Sequence, residues 1–124
     1  YGYYQEGLET ITLKGMDGAK QIQSMMDKMR NQPPEELAGL TVMAVRDYNN
    51  DTRKDMATGK VTGTGLPSSN VLYYELENHA WCCIRPSGTE PKIKFYFGVK
   101  EETMDKSLSA LTELKDAMLA YAKG

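Results

Sequence analysis

The sequence predicts a two-layer α+β fold, in which an antiparallel sheet of about four strands carries two helices on one face. Two stretches with the apolar period of a helix lie towards the two ends of the chain, at residues 17–31 and after residue 103. Between them, runs typical of strands are separated by turns rather than by helices. Consecutive strands joined in this way pair antiparallel, and helices on one face of such a sheet complete a two-layer domain.

The first fifteen residues are expected to be a linker or extended arm from a preceding domain, with residues 16–124 forming the domain itself. Residues 1–13 are partly aromatic and β-branched, but Gly2 and Gly7 interrupt them. Glycine weakens a strand interior, so this segment is not counted among the strands of the sheet.

The first helix is predicted over Asp17–Asn31. Four apolar side chains recur on one of its faces: Ala19, Ile22, Met26 and Met29. This spacing is typical of a helix that packs on a core. Asp17 is expected to cap the first turn with its side chain, and Pro33-Pro34 ends the helix.

Four strands are predicted from runs of β-branched and aromatic residues that turn residues bound. They cover residues 40–48, 70–77, 80–84 and 92–99. The polar stretch 49–65 between the first two is expected to be mostly irregular, with residues 58–64 as a candidate short edge strand. His79 is assigned to a turn with Glu77 and Asn78.

The final helix is predicted to follow Thr103, whose hydroxyl can cap its first turn. Its apolar stripe is expected to contain Met104, Leu108, Leu111, Met118 and either Tyr121 or Ala122.

Composition and charge narrow the class of protein. A net charge of −2 is not that of a general nucleic-acid binder, which usually carries a basic excess. No apolar run approaches the ~18 residues that span a membrane. Cys82 and Cys83 are neighbours in a predicted strand, so they face opposite sides and form no disulfide with each other. Free thiols favour a reducing, cytoplasmic location, and a single histidine argues against a metal site in this chain.

The stretch Arg85-Pro86-Ser87-Gly88-Thr89-Glu90-Pro91 between the last two strands has the chemistry of a phosphate site. Arg85 offers a planar fork of donors that matches phosphate oxygens. Ser87 and Thr89 each offer a hydroxyl, and Gly88 allows consecutive backbone N–H groups to converge on an anion. The alternative is a tight loop that only reverses the chain.

Lys94 is expected to join this site. If Arg85 pairs with Lys92 across the hairpin, Lys94 projects from the same face of the sheet as Arg85. Ile93, Phe95 and Phe97 then fill the opposite face, which the helices cover: they alternate with the lysines along the strand. Glu90 is expected to point away from a bound dianion, towards a lysine. The alternative for Lys92 and Lys94 is a solvated strand face that discourages edge pairing.

This loop, together with Lys92-Ile93-Lys94-Phe95-Tyr96-Phe97, resembles the phosphate-binding loop in the last domain of the α-D-phosphohexomutases, the phosphoglucomutases and phosphomannomutases. The runs 66–72 and 1–4 are also similar to that family. The resemblance implies a fold of the TATA-binding-protein-like kind, a label that describes shape and says nothing of DNA.

The resemblance also implies a function as part of a longer enzyme. Such enzymes interconvert sugar 1-phosphates and 6-phosphates through a bisphosphorylated intermediate, with a phosphoserine on the first domain and Mg²⁺ held on another domain. This chain would supply neither catalytic residues nor metal ligands, and it would be inactive alone. Its part would be to hold the phosphate that is not transferred, through Arg85, Ser87, Gly88, Thr89 and Lys94. Its partners would be the sugar phosphate and the other domains.

Two other functions stay open at this point. One is a stand-alone module that binds anions or phosphopeptides without catalysis. The other is a structural or dimerising domain that uses its sheet as an interface. The residues do not choose among the hexose phosphates, although the matched segments favour a phosphoglucomutase.

Overall fold

A computed structural model describes residues 2–13, 17–87 and 90–123 of the chain. Within these residues there are two α-helices, α1 (Gly18–Asn31) and α2 (Met104–Lys123). The strands are β1 (Tyr3–Thr12), β2 (Glu36–Leu37), β3 (Leu40–Asp47), β4 (Thr52–Asp55), β5 (Val61–Thr62), β6 (Leu72–Leu76), β7 (Trp81–Pro86) and β8 (Lys92–Glu101). A short 3₁₀ helix, Glu77–His79, joins β6 to β7 at the predicted turn.

The strands form an antiparallel sheet in the order β1-β8-β7-β6-β3-β4-β5, with the short β2 attached to β3. The α+β class is therefore confirmed. The expected number of about four strands is wrong, because the described residues form eight. The four predicted strands are the central ones, β3, β6, β7 and β8. The additional strands lie towards the edges or are only two residues long, where few side chains are buried and the apolar pattern is weak.

The segment predicted to be an arm forms the edge strand β1. It pairs with β8 over ten residues, from Tyr3 opposite Glu101 to Thr12 opposite Lys92. Gly7 faces α2, and a Cβ there would lie 3.3 Å from the side chain of Leu111. The glycine that seemed to interrupt the segment thus lets the helix pack closely on the strand. The domain division at residue 15 stays a prediction.

Helix α1 confirms the first predicted helix, with two corrections. Ile22, Met26 and Met29 are buried as expected, but Ala19 is exposed and Gly18 is buried in its place. Asp17 precedes the helix without a capping hydrogen bond from its side chain. Its backbone conformation, φ −94° and ψ 4°, is not the extended one that a capping residue usually adopts.

Helix α2 begins as predicted, because the Thr103 hydroxyl oxygen accepts a hydrogen bond from the N–H of Lys106 at 3.2 Å. The predicted stripe is only partly right. Met118 and Ala122 are buried, whereas Met104 and Leu108 are 46% and 48% exposed. The buried line begins at Ser107, one residue before Leu108, and continues with Leu114. A polar Ser107, whose hydroxyl donates to the Met104 carbonyl at 2.7 Å, gives no apolar signal in the sequence.

The core lies between the two helices and one face of the sheet. Ile93, Phe95 and Phe97 of β8 are fully buried there, which confirms the predicted inward face of the strand. The hydroxyl of buried Tyr74 donates to the Met29 carbonyl at 2.7 Å, joining α1 to the middle of the sheet. The opposite face, called the open face below, has no helix over it in the part of the chain that the structure describes.

The polar stretch after β3 is more regular than expected, because two aspartates organise it. Asp51 accepts hydrogen bonds from the hydroxyl of Thr64 at 2.6 Å and from two backbone N–H groups. Asp55 accepts from the N–H groups of Ala57 and Thr58 at 2.9 and 3.1 Å. These bonds hold the β4–β5 hairpin. Strand β5 falls inside the predicted 58–64, whereas β4 was not predicted.

Trp81 lies flat on the open face above Gly98. Its ring stacks with that of Tyr73, with 5.7 Å between centroids and 10° between planes. A Cβ on Gly98 would meet the indole, lying 2.8 Å from its Cζ2 and closer to other ring atoms. Glycine is thus required at position 98 for the tryptophan to lie on the sheet.

The variant Gly98→Ala is expected to displace the indole, shift its fluorescence emission to longer wavelength and lower the free energy of unfolding by about 1–3 kcal/mol. Trp81 is the only tryptophan in the chain, so the emission reports this site alone. Gly7→Ala is the control, since there the new methyl meets only the flexible end of Leu111. Unchanged emission and stability in Gly98→Ala would contradict the prediction.

Candidate functional site

The candidate site lies on the hairpin between β7 and β8. Arg85 pairs with Lys94, and Pro86 pairs with Ile93. The predicted pairing of Arg85 with Lys92 is therefore wrong by two residues, because the strand pairing continues past Arg85 and closes with the N–H of Ser87 donating to the Lys92 carbonyl at 2.9 Å. A shift of two residues keeps each side chain on its face. Lys94 thus shares a face with Arg85, as expected, and lies directly opposite it.

Arg85 and Lys94 form an unneutralised pair of cations on the open face. Both are exposed, and no hydrogen bond or ion pair joins either side chain to another residue within the described ranges. Like charges directly opposite each other destabilise a sheet. With no carboxylate beside them, the two side chains can share an anion from solution.

Lys92 is engaged elsewhere. Its Nζ lies 2.9 Å from the carboxylate of Glu90, which agrees with the expectation that Glu90 points towards a lysine. Of the three basic residues beside the loop, Arg85, Lys92 and Lys94, two are thus without an ion-pair partner within the described residues, Arg85 and Lys94.

Ser87 stands where β7 leaves the sheet. It is half-buried, and its Oγ accepts a hydrogen bond from the N–H of Glu90 at 3.4 Å. Gly88 and Thr89 lie outside the described residues. The parts that these three residues would take in binding phosphate stay predictions.

Comparison with known proteins identifies the family. The phosphoglucomutase of Staphylococcus saprophyticus is 36% identical over 105 residues, which is 85% of this chain and 19% of that protein. Those of Staphylococcus aureus strains RF122 and MRSA252 are 36% and 37% identical over 104 and 99 residues. The chain belongs to the α-D-phosphohexomutase family. It spans about a fifth of the length of these relatives, which is consistent with a C-terminal domain. No protein-family model matches it.

The charge of Arg85 acts on its neighbours in this phosphohexomutase domain. Cys83 lies two residues earlier on the same face. Burial raises the pKa of the Cys83 thiol, and the guanidinium of Arg85 opposes that rise. Cys82 faces the core, where burial raises its pKa well above the usual range. Both thiols are free and lie on opposite faces of the sheet, as predicted.

A second charged cluster of the phosphohexomutase domain was not anticipated from the sequence. The carboxylate of Glu75 accepts hydrogen bonds from Nε of Arg53 at 2.7 Å and Nε of Arg46 at 2.8 Å. The bond from Arg53 is the main cause that lowers the pKa of Glu75. Arg46 also lies over the ring of Tyr73, 5.0 Å from its centroid. These arginines have a carboxylate between them, unlike Arg85 and Lys94. Their proximity depends on the register of three strands, which no local pattern encodes.

Other site types find no support in the described residues. They contain no group of three or more His, Cys, Asp or Glu placed to hold a metal ion. The Mg²⁺ expected on another domain stays a prediction. Neither described helix is long and apolar enough to cross a membrane.

Proposed function

We propose that this chain is the domain of a phosphoglucomutase that holds the substrate phosphate not undergoing transfer. The observation that carries the proposal is the pair Arg85 and Lys94, two cations opposite each other with no carboxylate between them. The family and the chemistry of the loop support the same assignment.

The two cations would divide the work on a phosphate dianion. Arg85 presents a planar fork that can donate two parallel hydrogen bonds, and Lys94 adds a compact charge. Ser87 and Thr89 would donate hydroxyl hydrogens, and Gly88 and Thr89 would offer backbone N–H groups. A hydrogen bond that involves a charged group contributes about 1.5–3 kcal/mol. Ordering the loop offsets part of this, so we expect weak binding to the chain alone.

Holding one end of a sugar phosphate places its other end for reaction. Such positioning lowers a barrier without a reacting group on this domain. The phosphoserine and the Mg²⁺ site would then belong to other domains of a longer enzyme, and this chain alone would be inactive. Mg²⁺ would supply charge neutralisation at the transferred phosphoryl group. The proposal includes a motion: this domain would close over the substrate and release the phosphate when the intermediate turns around. We also propose that the enzyme acts in the cytosol.

The test is an NMR titration of the backbone amides with inorganic phosphate, glucose 6-phosphate and glucose. Both phosphates are expected to shift the amides of residues 87–89, and glucose is expected to shift none of them. Arg85→Ala should weaken phosphate binding about tenfold or more, the equivalent of one charged hydrogen bond. Arg53→Ala is the matched control, because it removes a guanidinium from the same face that already has a carboxylate partner.

The titration distinguishes a domain that holds only the phosphate from one that also contacts the sugar. Tighter binding of glucose 6-phosphate than of phosphate would indicate that the domain also contacts the sugar. Equal binding of the two would be expected of a holder of phosphate alone. If no ligand shifts these amides at tens of millimolar, or if Arg85→Ala binds as the parent does, the proposed phosphate site is wrong.

A further inference from the structure

The arm of the loop that leads into β8, residues 90–92, is fixed against the segment before α1. The N–H of Leu13 donates to the Pro91 carbonyl at 2.8 Å. The next carbonyl, that of Lys92, accepts from the N–H of Ser87 at 2.9 Å. Any displacement of Pro91 must therefore stretch its bond to Leu13 or move the residue that anchors Ser87.

Gly18, the first residue of α1, lies against this arm. A Cβ on Gly18 would be 2.8 Å from the Cβ of Pro91 and 3.0 Å from the carbonyl oxygen of Leu13. Carbon atoms in packed proteins meet at about 3.5–4.0 Å. Gly18 does not have the left-handed backbone conformation found at three other described glycines. Position 18 thus requires glycine for space, not for its conformational freedom.

The proline cannot give way easily. Its ring fixes its own φ, and its carbonyl is bound to Leu13. A methyl group at position 18 would therefore push on the backbone of the loop, not on the far end of a flexible side chain.

We propose that Gly18 is a positioning residue for the phosphate-binding loop. Without a Cβ, it lets Pro91 pack against α1, and this contact sets where Ser87 and residues 90–92 stand relative to Arg85 and Lys94. The inference rests on the proposed phosphate site, and it assigns to a residue distant in sequence a part in forming that site.

A purely structural role would have the opposite signature. Alanine is a better helix former than glycine, and it restricts the unfolded chain. If the contact with Pro91 were unimportant, Gly18→Ala would leave phosphate affinity unchanged and raise the melting temperature. The proposal instead expects affinity to fall at temperatures far below melting.

The experiment measures the Kd for inorganic phosphate by NMR in Gly18→Ala, with Pro91 kept, replaced by alanine or replaced by glycine. Gly18→Ala is expected to raise Kd about tenfold, which corresponds to the loss of one charged hydrogen bond. Pro91→Ala retains the Cβ, so the effect should persist in that background. Pro91→Gly removes the Cβ, so the effect of Gly18→Ala should be much smaller there, with only the contact to the Leu13 carbonyl left. Gly63→Ala is the control, since its nearest contact would be 3.4 Å away.

A second readout needs no ligand. The backbone amide chemical shifts of Ser87 and Lys92 should differ between the parent and Gly18→Ala. They should differ less between the Pro91→Gly variant and the double variant that carries both Gly18→Ala and Pro91→Gly. Equal Kd values for the parent and Gly18→Ala, or an equal effect of Gly18→Ala in all three backgrounds, would overturn the inference and leave the proposed function intact. A parent chain that binds no phosphate would overturn the proposed function, and this inference with it.

Discussion

Replacing Asp47 with alanine is expected to lower the free energy of unfolding by about 3–5 kcal/mol, the cost of removing one partner of a buried ion pair. Its carboxylate lies 3.0 Å from Nε of Arg30, and the two side chains are 9% and 12% exposed. The same carboxylate accepts hydrogen bonds from the N–H of Asn49 at 3.1 Å and from the amide of Asn50 at 2.6 Å. The variant leaves a largely buried guanidinium without its counter-charge and two hydrogen-bond donors without this acceptor.

This ion pair ties the end of α1 to the end of β3. Arg30 also donates to the side-chain oxygen of Asn70 at 2.6 Å, so the network extends to the segment before β6. Nε of Arg30 is close to Asp47 but is not aligned for a hydrogen bond. The interaction between Nε of Arg30 and the Asp47 carboxylate is therefore one of charge. The neutral isostere Asp47→Asn should restore little of the stability that Asp47→Ala loses.

Urea unfolding followed by circular dichroism measures the effect. Asp27→Ala is the matched control: Asp27 approaches Arg30 only to 3.8 Å and is 55% exposed. Exposed pairs of this kind contribute about 0–1 kcal/mol. Stabilities of Asp47→Ala and Asp27→Ala that agree within error would show that the network is not what holds α1 to β3.

The central fold could be predicted because its signals are local. The apolar period places Ile22, Met26 and Met29 on one face of α1. The strict alternation Ile93, Phe95 and Phe97 assigns the inward face of β8, and all three are fully buried. The residues that a regular helix or strand buries can be recognised from the apolar period within a few positions of the sequence.

The edges of the sheet could not be predicted in this way. Strand β1 is held by ten cross-strand pairs with β8, which is nearly ninety positions later in the chain. Strand β4 is polar, and its Arg53 is placed by Glu75. Such pairings between distant segments, rather than local propensity, determine these strands.

The candidate site falls between these cases. The alternation of side chains along the strands was enough to place Lys94 on the same face as Arg85. That placement is right although the predicted register was wrong by two residues. The direct opposition of Arg85 and Lys94 depends on the length of the turn. The contact of Gly18 with Pro91 depends on how α1 packs on the hairpin, and a glycine at the start of a helix gives no hint of it.

Replacing Lys94 with glutamate is expected to abolish phosphate binding while leaving the fold at least as stable as the parent. The variant puts a carboxylate directly opposite Arg85, where it would occupy the guanidinium and repel a dianion. The loss of a charged hydrogen bond together with this repulsion should raise Kd about a hundredfold or more. At the same time, a repulsive cross-strand pair becomes an attractive one, which contributes about 0.2–1 kcal/mol.

Lys100→Glu is the matched control. It makes the same change of charge on the same strand and the same face, six residues and about 20 Å further along. Its ammonium lies over the ring of Tyr4, 5.3 Å from the centroid, far from the hairpin turn. Phosphate affinity should be nearly unchanged in this variant.

The two readouts together decide what the open face near the turn is for. A face that is only solvated would gain stability from Lys94→Glu and lose nothing. A phosphate site would lose its ligand by the same substitution. In the unliganded fold Arg85 and Lys94 repel each other, and a bound anion relieves this repulsion. Phosphate binding that survives Lys94→Glu would therefore remove the main support for the proposed function, whereas binding lost with stability gained is the trade-off expected of a functional site.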